Sequence, residues 1–239
     1  MIRDLLDHGE IAVLGLGRSG VAVSRLLRRA GARVYASDRN SAPDLTRHAE
    51  TLRALGVDAN AGGHDLHRIA RAVAVVVSPG VPPGAAPLAR AQASGVPIAS
   101  EVEVALEFLP VTSIVAVTGT NGKSTVTALV DHLLRSTGHD SVAAGNIGTA
   151  LSEIALLHAP PAFVALEISS FQLHDTPGIR PVVGVLTNLA PDHLDRYAAV
   201  EEYFSDKALL FRNAVASSLW VTNADDAEVQ RRVAGVRGR

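Results

Sequence analysis

Near-continuous apolar runs alternate along the chain with stretches whose apolar positions recur every three or four residues. The runs predict strands at Ile11–Leu16, Arg33–Ser37, Ala72–Ser78, Ile114–Thr118, Ala162–Glu167, Val182–Thr187 and Leu219–Thr222. The amphipathic stretches predict helices at Gly20–Ala30, Leu45–Leu55, Ala86–Ala93, Ser124–Ser136 and Glu201–Phe211. Strands apolar on both faces, alternating with helices, belong to parallel sheets covered on both sides. The series opens twice. It runs from Ile11 to a polar crossover near Pro97–Glu107, then restarts at Ile114 with a glycine loop of its own. The fold class expected is α/β: a Rossmann-like parallel-sheet domain over residues 1–110, then a P-loop α/β domain over 111–239. The second sheet reads as about four strands, few for such a domain. "NADD" and one helix then lead to Arg239, so this domain is expected to be truncated at its C-terminal end.

Composition narrows the functional classes. With 47% hydrophobic and 19% charged residues among 239, the chain can bury a core and is too apolar for disorder. A net charge of −2 offers no footprint for nucleic acid or an anionic membrane surface. There are no cysteines, hence no disulfides and no thiolate chemistry. The N-terminus MIRDLLDHGE lacks the apolar core of a secretory signal, and no stretch approaches the roughly 20 apolar residues of a membrane span. A soluble cytoplasmic protein is expected, acting without membrane or nucleic acid, as a monomer.

Chemistry concentrates at the ends of the strands. The stretch Gly119-Thr120-Asn121-Gly122-Lys123-Ser124-Thr125 follows an apolar strand and opens a helix. It is a phosphate loop shorter than G-x-x-x-x-G-K-[ST], since Val117 stands where that pattern has its first glycine. Glycines let backbone amides approach phosphate oxygens, and the helix N-terminus adds partial positive charge. Lys123 supplies a cation for the terminal phosphates and Ser124 a hydroxyl for Mg²⁺. Earlier, Gly15-Leu-Gly17-Arg18-Ser19-Gly20 is a G-x-G-x-x-G, with Asp38 ending the next strand. That spacing suits NAD, FAD or a nucleotide-sugar, with the carboxylate on a ribose hydroxyl. Asp38 serves equally well as a turn residue, with Ser41 or Asp44 as a helix cap. Ser78-Pro-Gly80 could line the same crevice or form a plain turn. Glu167 ends "FVALE", where a carboxylate at a parallel-sheet edge suits Mg²⁺ on nucleotide phosphates. Asp192, His193 and Asp195 leave a later strand together; Asn146 lies in a "GNIG" turn, and Lys207 reads as an ordinary helix lysine.

Taken in order, "GLGRSG", "SPG", "TGTNGKST", "GNIG", "LEISSFQL" and "DHLDRY" resemble the Mur ligases, the ATP-dependent amide-forming enzymes of peptidoglycan synthesis. "LEISSFQL" is most similar to the D-glutamate-adding branch. The resemblance implies that the first domain binds UDP-N-acetylmuramoyl-L-alanine through Arg18, Ser19, Asp38 and Gly80, displacing the NAD reading. It implies that residues 119–125 hold ATP, with Lys123, Ser124 and Thr125 on its phosphates. Two Mg²⁺ ions would be served by Ser124, Glu167, His193 and Lys207, the last as a carbamate. Asn146, Ser169, Gln172 and His193 would contact substrate, and Lys123, Glu167, His193 and Lys207 would carry catalysis. One departure is that the branch's arginine two places past the aspartate is Asn40 here, with Arg39 adjacent. Family members continue well beyond residue 239, so an inactive fragment without its D-glutamate site is the expectation. Two rivals stand beside a ligase: an NAD(P)-dependent oxidoreductase, which leaves GTNGKST unused, and a non-catalytic UDP-sugar-binding module.

Overall fold

The structure, a computed structural model, describes residues 2–109, 111–194 and 196–239. The chain divides into two compact units: Met1–Phe108 with Ala150–Leu156, and Leu109–Thr149 with Leu157–Arg239. Among the described residues no helix is long and apolar enough to cross a membrane.

The first unit is built from β1 (Glu10–Leu14), α1 (Arg18–Arg29), β2 (Arg33–Asp38), α2 (Pro43–Ala54), β3 (Asp58–Ala61), α3 (Leu66–Arg71), β4 (Ala74–Val77), α4 (Ala86–Ala93), β5 (Ile98–Ser100) and α5 (Glu101–Glu107). Its five strands are parallel in the order β3-β2-β1-β4-β5. The chain winds outward from β1 on one side, then crosses to β4 on the other. The loops after β1 and β4 therefore meet at the reversal of strand order, where α/β sheets bind ligands. One face of the sheet buries Ala12, Leu14, Val75 and Val77 against Ile69, Leu88 and Ala91 of the helices. The expected polar crossover is instead β5 followed by α5. Ser100 caps that helix by accepting the Glu103 amide at 3.0 Å, and Glu101, Val102, Glu103 and Val104 are buried. Neither Ser41 nor Asp44 caps α2, whose N-cap is Ala42, with Pro43 pre-setting the first turn.

The second unit holds β6 (Ser113–Thr118), α6 (Lys123–Ser136), β7 (Ser141–Gly145), β8 (Phe163–Glu167), α8 (Ser170–His174), β9 (Val183–Leu186), α9 (Val200–Ala208), β10 (Leu219–Thr222) and α10 (Ala227–Val233). Between β7 and β8 the chain forms α7 (Leu151–Ala155), which packs with the first unit against α1 and α5. Glu101 accepts the Ser152 amide at one end of α7, and Arg29 donates to the carbonyls of Ala155 and Leu156 at the other. The sheet has five parallel strands, β10-β9-β6-β8-β7, one more than the hydrophobic pattern predicts. The addition is the edge strand β7, whose residues SVAAG lack a run of β-branched side chains. Gly145, Glu167 and Val117 stand in register at the ends of β7, β8 and β6. That row sets the geometry of the site.

Candidate active site

The phosphate loop turns on two glycines. Gly119 has φ +144°, and a Cβ there would sit 2.0 Å from Thr187 Oγ1, so only glycine lets the loop pass the end of β9. Gly122, at φ +79°, is the N-cap of α6, and a Cβ there would meet open space. Thr187 and Asn188, just past β9, brace the loop. Thr120 donates its amide to Asn188 O at 2.9 Å, and Asn121 its amide to Asn188 Oδ1 at 2.9 Å. Thr187 Oγ1 donates to Asn121 O at 2.7 Å, and the buried Thr120 hydroxyl exchanges hydrogen bonds with Ala190 at 3.0 and 3.1 Å. Lys123 folds back over the loop and donates to the carbonyls of Gly119 and Thr120 at 3.0 and 2.8 Å. Asn121, Ser124 and Thr125 are exposed.

Glu167 lies at the centre of the second cluster. Ser124 Oγ donates to Glu167 Oε2 at 2.7 Å, and Asn146 Nδ2 donates to Glu167 Oε1 at 2.9 Å. The carboxylate is 2% exposed, and no salt bridge reaches it among the described residues. Directly after it, Ser169 and Gln172 form a capping box that starts α8. Gln172 is buried, and its Nε2 finds no hydrogen-bond partner among the described residues.

Lys207, on α9, is 2% exposed, against the ordinary expectation for a helix lysine. Its Nζ donates to Gly119 O at 2.7 Å and sits 4.6 Å from the centroid of the Tyr203 ring. Burial, and then the nearby charge of Lys123, push its ammonium down to about 7. Tyr203 stands one helical turn before it, on the same face, and donates to Thr120 Oγ1 at 3.3 Å. Lys207 thereby joins the phosphate loop to α9. His193 is exposed, with φ +53°, and its ring packs edge-on against Phe171 at 5.4 Å and Tyr203 at 5.8 Å. Asp192 accepts the His193 amide at 2.8 Å, and Asp195 lies outside the described residues.

In the first unit Asp38 turns inward. Its Oδ2 accepts the Leu16 amide at 2.9 Å and its Oδ1 the Asn40 amide at 2.9 Å, so the carboxylate braces the glycine loop. Gly15 has φ +98°, and a Cβ at Gly20 would lie 1.9 Å from Gly15 O, which lets α1 start against the turn. Gly17 is the N-cap of α1; Arg18 and Gly80 are exposed and Ser19 is half-buried. The Ser78 side chain is buried beside Gly15 and Gly20.

The structure thus gathers Lys123, Ser124, Glu167, Asn146 and Lys207 at the β6–β8–β9 edge, and Asp38 with the GLGRSG turn at the β1–β4 edge. The sequence pattern did not single out Thr187, Asn188, Tyr203 or Asp206. For Tyr203 a signal existed in its spacing of four from Lys207; a strand-end "TN" is too common to mark the others.

Residues 117–237 match the Mur ligase middle domain, and residues 9–100 match the N-terminal domain of the MurD-like Mur ligases. The UDP-N-acetylmuramoylalanine--D-glutamate ligase of Geotalea daltonii is 39% identical over 230 residues, 96% of this chain and 51% of the relative. The enzyme of the same name from Pelotomaculum thermopropionicum is 39% identical over the full chain, which covers 52% of it. The chain spans about half the length of the curated relatives it matches. Among solved structures, a UDP-N-acetylmuramate:L-alanyl-gamma-D-glutamyl-meso-diaminopimelate ligase from Neisseria meningitides has the same fold, with a TM-score of 0.64 at 19% identity. That alignment covers 97% of this chain and 77% of the other.

Proposed function

This chain belongs to the Mur ligase family, and from that premise we propose that the intact protein adds D-glutamate to UDP-N-acetylmuramoyl-L-alanine with ATP, in the cytoplasm. The observation that carries this reading is a phosphate loop whose Ser124 meets a buried Glu167, in a chain similar along its whole length to D-glutamate ligases. The reaction activates the substrate carboxylate as an acyl phosphate, which the D-glutamate amine then attacks. The protein must therefore bring a carboxylate and a γ-phosphate, both anionic, into contact.

Its residues suit that task. The amides of residues 119–125 and the start of α6 favour phosphate, and Lys123 is tethered by carbonyl hydrogen bonds that an anion can replace. Glu167 lies buried and, among the described residues, accepts from the neutral Ser124 and Asn146 side chains, a situation that a divalent cation satisfies. Among the described residues no three acidic or imidazole groups converge. That sparse donor set suits Mg²⁺, which keeps its waters and takes one or two carboxylates plus phosphate oxygens. Ser124 and Glu167 would hold a first ion, and His193 and a carbamylated Lys207 a second. Bound there, Mg²⁺ would supply Lewis-acid charge that offsets the repulsion of the two anions. The depressed Lys207 ammonium supports carbamylation, because a neutral amine is what attacks CO₂. In the first unit, Arg18, Ser19 and Gly80 would contact the uridine nucleotide, with Asp38 holding the turn that receives it.

The test is a ligation assay of the intact protein with UDP-N-acetylmuramoyl-L-alanine, Mg·ATP and a panel of amino acids, following phosphate and product. D-Glutamate alone should be joined. Turnover with another amino acid and none with D-glutamate would overturn the assignment.

A further inference from the structure

His193 is the one non-glycine residue with positive φ among those described. Such a backbone persists only where its surroundings over-determine it. The hold here is Tyr197. The amides of Arg196 and Tyr197 donate to His193 O at 2.9 and 3.2 Å, and the Tyr197 ring stacks on Phe171 at 5.1 Å, which in turn edges against His193. Tyr197 is itself anchored, donating its hydroxyl to Asp206 Oδ2 at 2.9 Å. The other oxygen, Asp206 Oδ1, lies 3.0 Å from His174 Nδ1 at the end of α8. One carboxylate on α9 thus ties together α8, the Tyr197 anchor and the helix that carries Lys207.

We propose that Asp206 is a positioning residue of the active site: by bridging Tyr197 and His174 it keeps His193 in its left-handed conformation. This inference rests on the assignment of His193 to substrate and the second ion. A carboxylate suits the task because it accepts from both partners at once through two oxygens fixed in one plane.

The test uses the purified 239-residue chain, with Tyr197→Phe, Asp206→Asn and, to assign the imidazole signal, His193→Ala. Two quantities are read by NMR: hydrogen exchange of the Arg196 and Tyr197 amides, and broadening of the His193 ring signal by Mn·ATP. Both Tyr197→Phe and Asp206→Asn should speed those two amides at least about tenfold while leaving the amides of Val115 and Val117 unchanged. Both should also weaken the broadening, with Mg·ATP affinity kept. A merely structural role would move the core amides as well. If Asp206→Asn loosens the core, Tyr197→Phe decides, since it removes one hydroxyl and keeps the stack. A broadened wild-type signal with neither quantity changed in the variants overturns this proposal alone. A wild-type His193 signal that Mn·ATP leaves unbroadened overturns the His193 assignment, and the proposal with it.

Discussion

Ser124 Oγ donates to Glu167 Oε2 across 2.7 Å, joining the first turn of α6 to the end of β8. The contact follows from register: Val117 pairs with Glu167, and the loop from Gly119 to Gly122 returns the chain to the same sheet edge. A hydroxyl and a buried carboxylate placed together at a phosphate loop are the parts a nucleotide-bound cation requires. Glu167→Gln keeps the size and one accepting oxygen for Asn146, turns the other position into a donor that the Ser124 hydroxyl can accept, and removes the charge. Mg²⁺-dependent ATP binding should weaken about 10–100-fold, with nucleotide affinity in EDTA unchanged. Calorimetry with and without the metal measures both.

Lys123→Ala should separate the two units functionally. Lys123→Ala in the intact protein should lower turnover by about 10²-fold or more, the usual loss when a transition-state charge contact is removed. Affinity for UDP-N-acetylmuramoyl-L-alanine, assigned to the other unit, should stay the same. Steady-state kinetics paired with substrate titration check the split.

The glycines of the loop should differ in cost. Gly122→Ala meets no atom and pays only for its left-handed backbone, about 1–2 kcal/mol. Gly119→Ala adds a clash with Thr187 to an unfavourable φ, so its loss of stability should be the larger. Chemical denaturation of the two variants side by side gives the order.

Lys207 should acquire CO₂ in a pH-dependent way. Its ammonium titrates near 7, so the reactive neutral amine, and with it the carbamate, should increase from about pH 6 to pH 8. ¹³C NMR in labelled bicarbonate should show a carbamate signal that Lys207→Ala lacks. In the intact protein, Lys207→Ala should be inactive and partly rescued by acetate, which restores oxygen ligands.

Stability should carry a separate pH signature from Glu101. Burial raises its carboxyl to about 7, outweighing the hydrogen bonds from Ser152 that pull it down. The folded state therefore holds a proton that the unfolded chain releases near 4.5. Stability from this group is complete below that value and declines as pH rises toward 7, by on the order of 3 kcal/mol. Glu101→Gln should flatten the decline and stabilise the protein at about pH 8. Urea melts across the range measure it.

Much of this was legible in the sequence, for stated reasons. β1, β6, β8 and β9 are apolar on both faces, and GTNGKST needs little beyond strand, glycines and helix to be recognised. The misses have physical causes. DANA, IAS and SVAAG make edge strands with few β-branched residues, and their pairing is set by neighbours. EVEVALE alternates like a strand, yet Ser100 caps it as a helix and the fold buries Glu101 and Glu103. The burial of Lys207 and the inward turn of Asp38 depend on contacts far along the chain, Gly119 for one and Leu16 for the other. Local pattern cannot report them; for Lys207 the family resemblance alone raised the residue to notice.

The central claim is that this chain holds two nucleotide sites, one on each glycine loop. Titration of the purified chain with UDP-N-acetylmuramoyl-L-alanine, Mg·ATP and NADH, each alone, tests it most directly. The account predicts saturable binding of the first two, with Mg·ATP weakened about 10–100-fold in Glu167→Gln and the UDP substrate unaffected, and no binding of NADH. Saturable NADH binding with no response to the UDP substrate would contradict it.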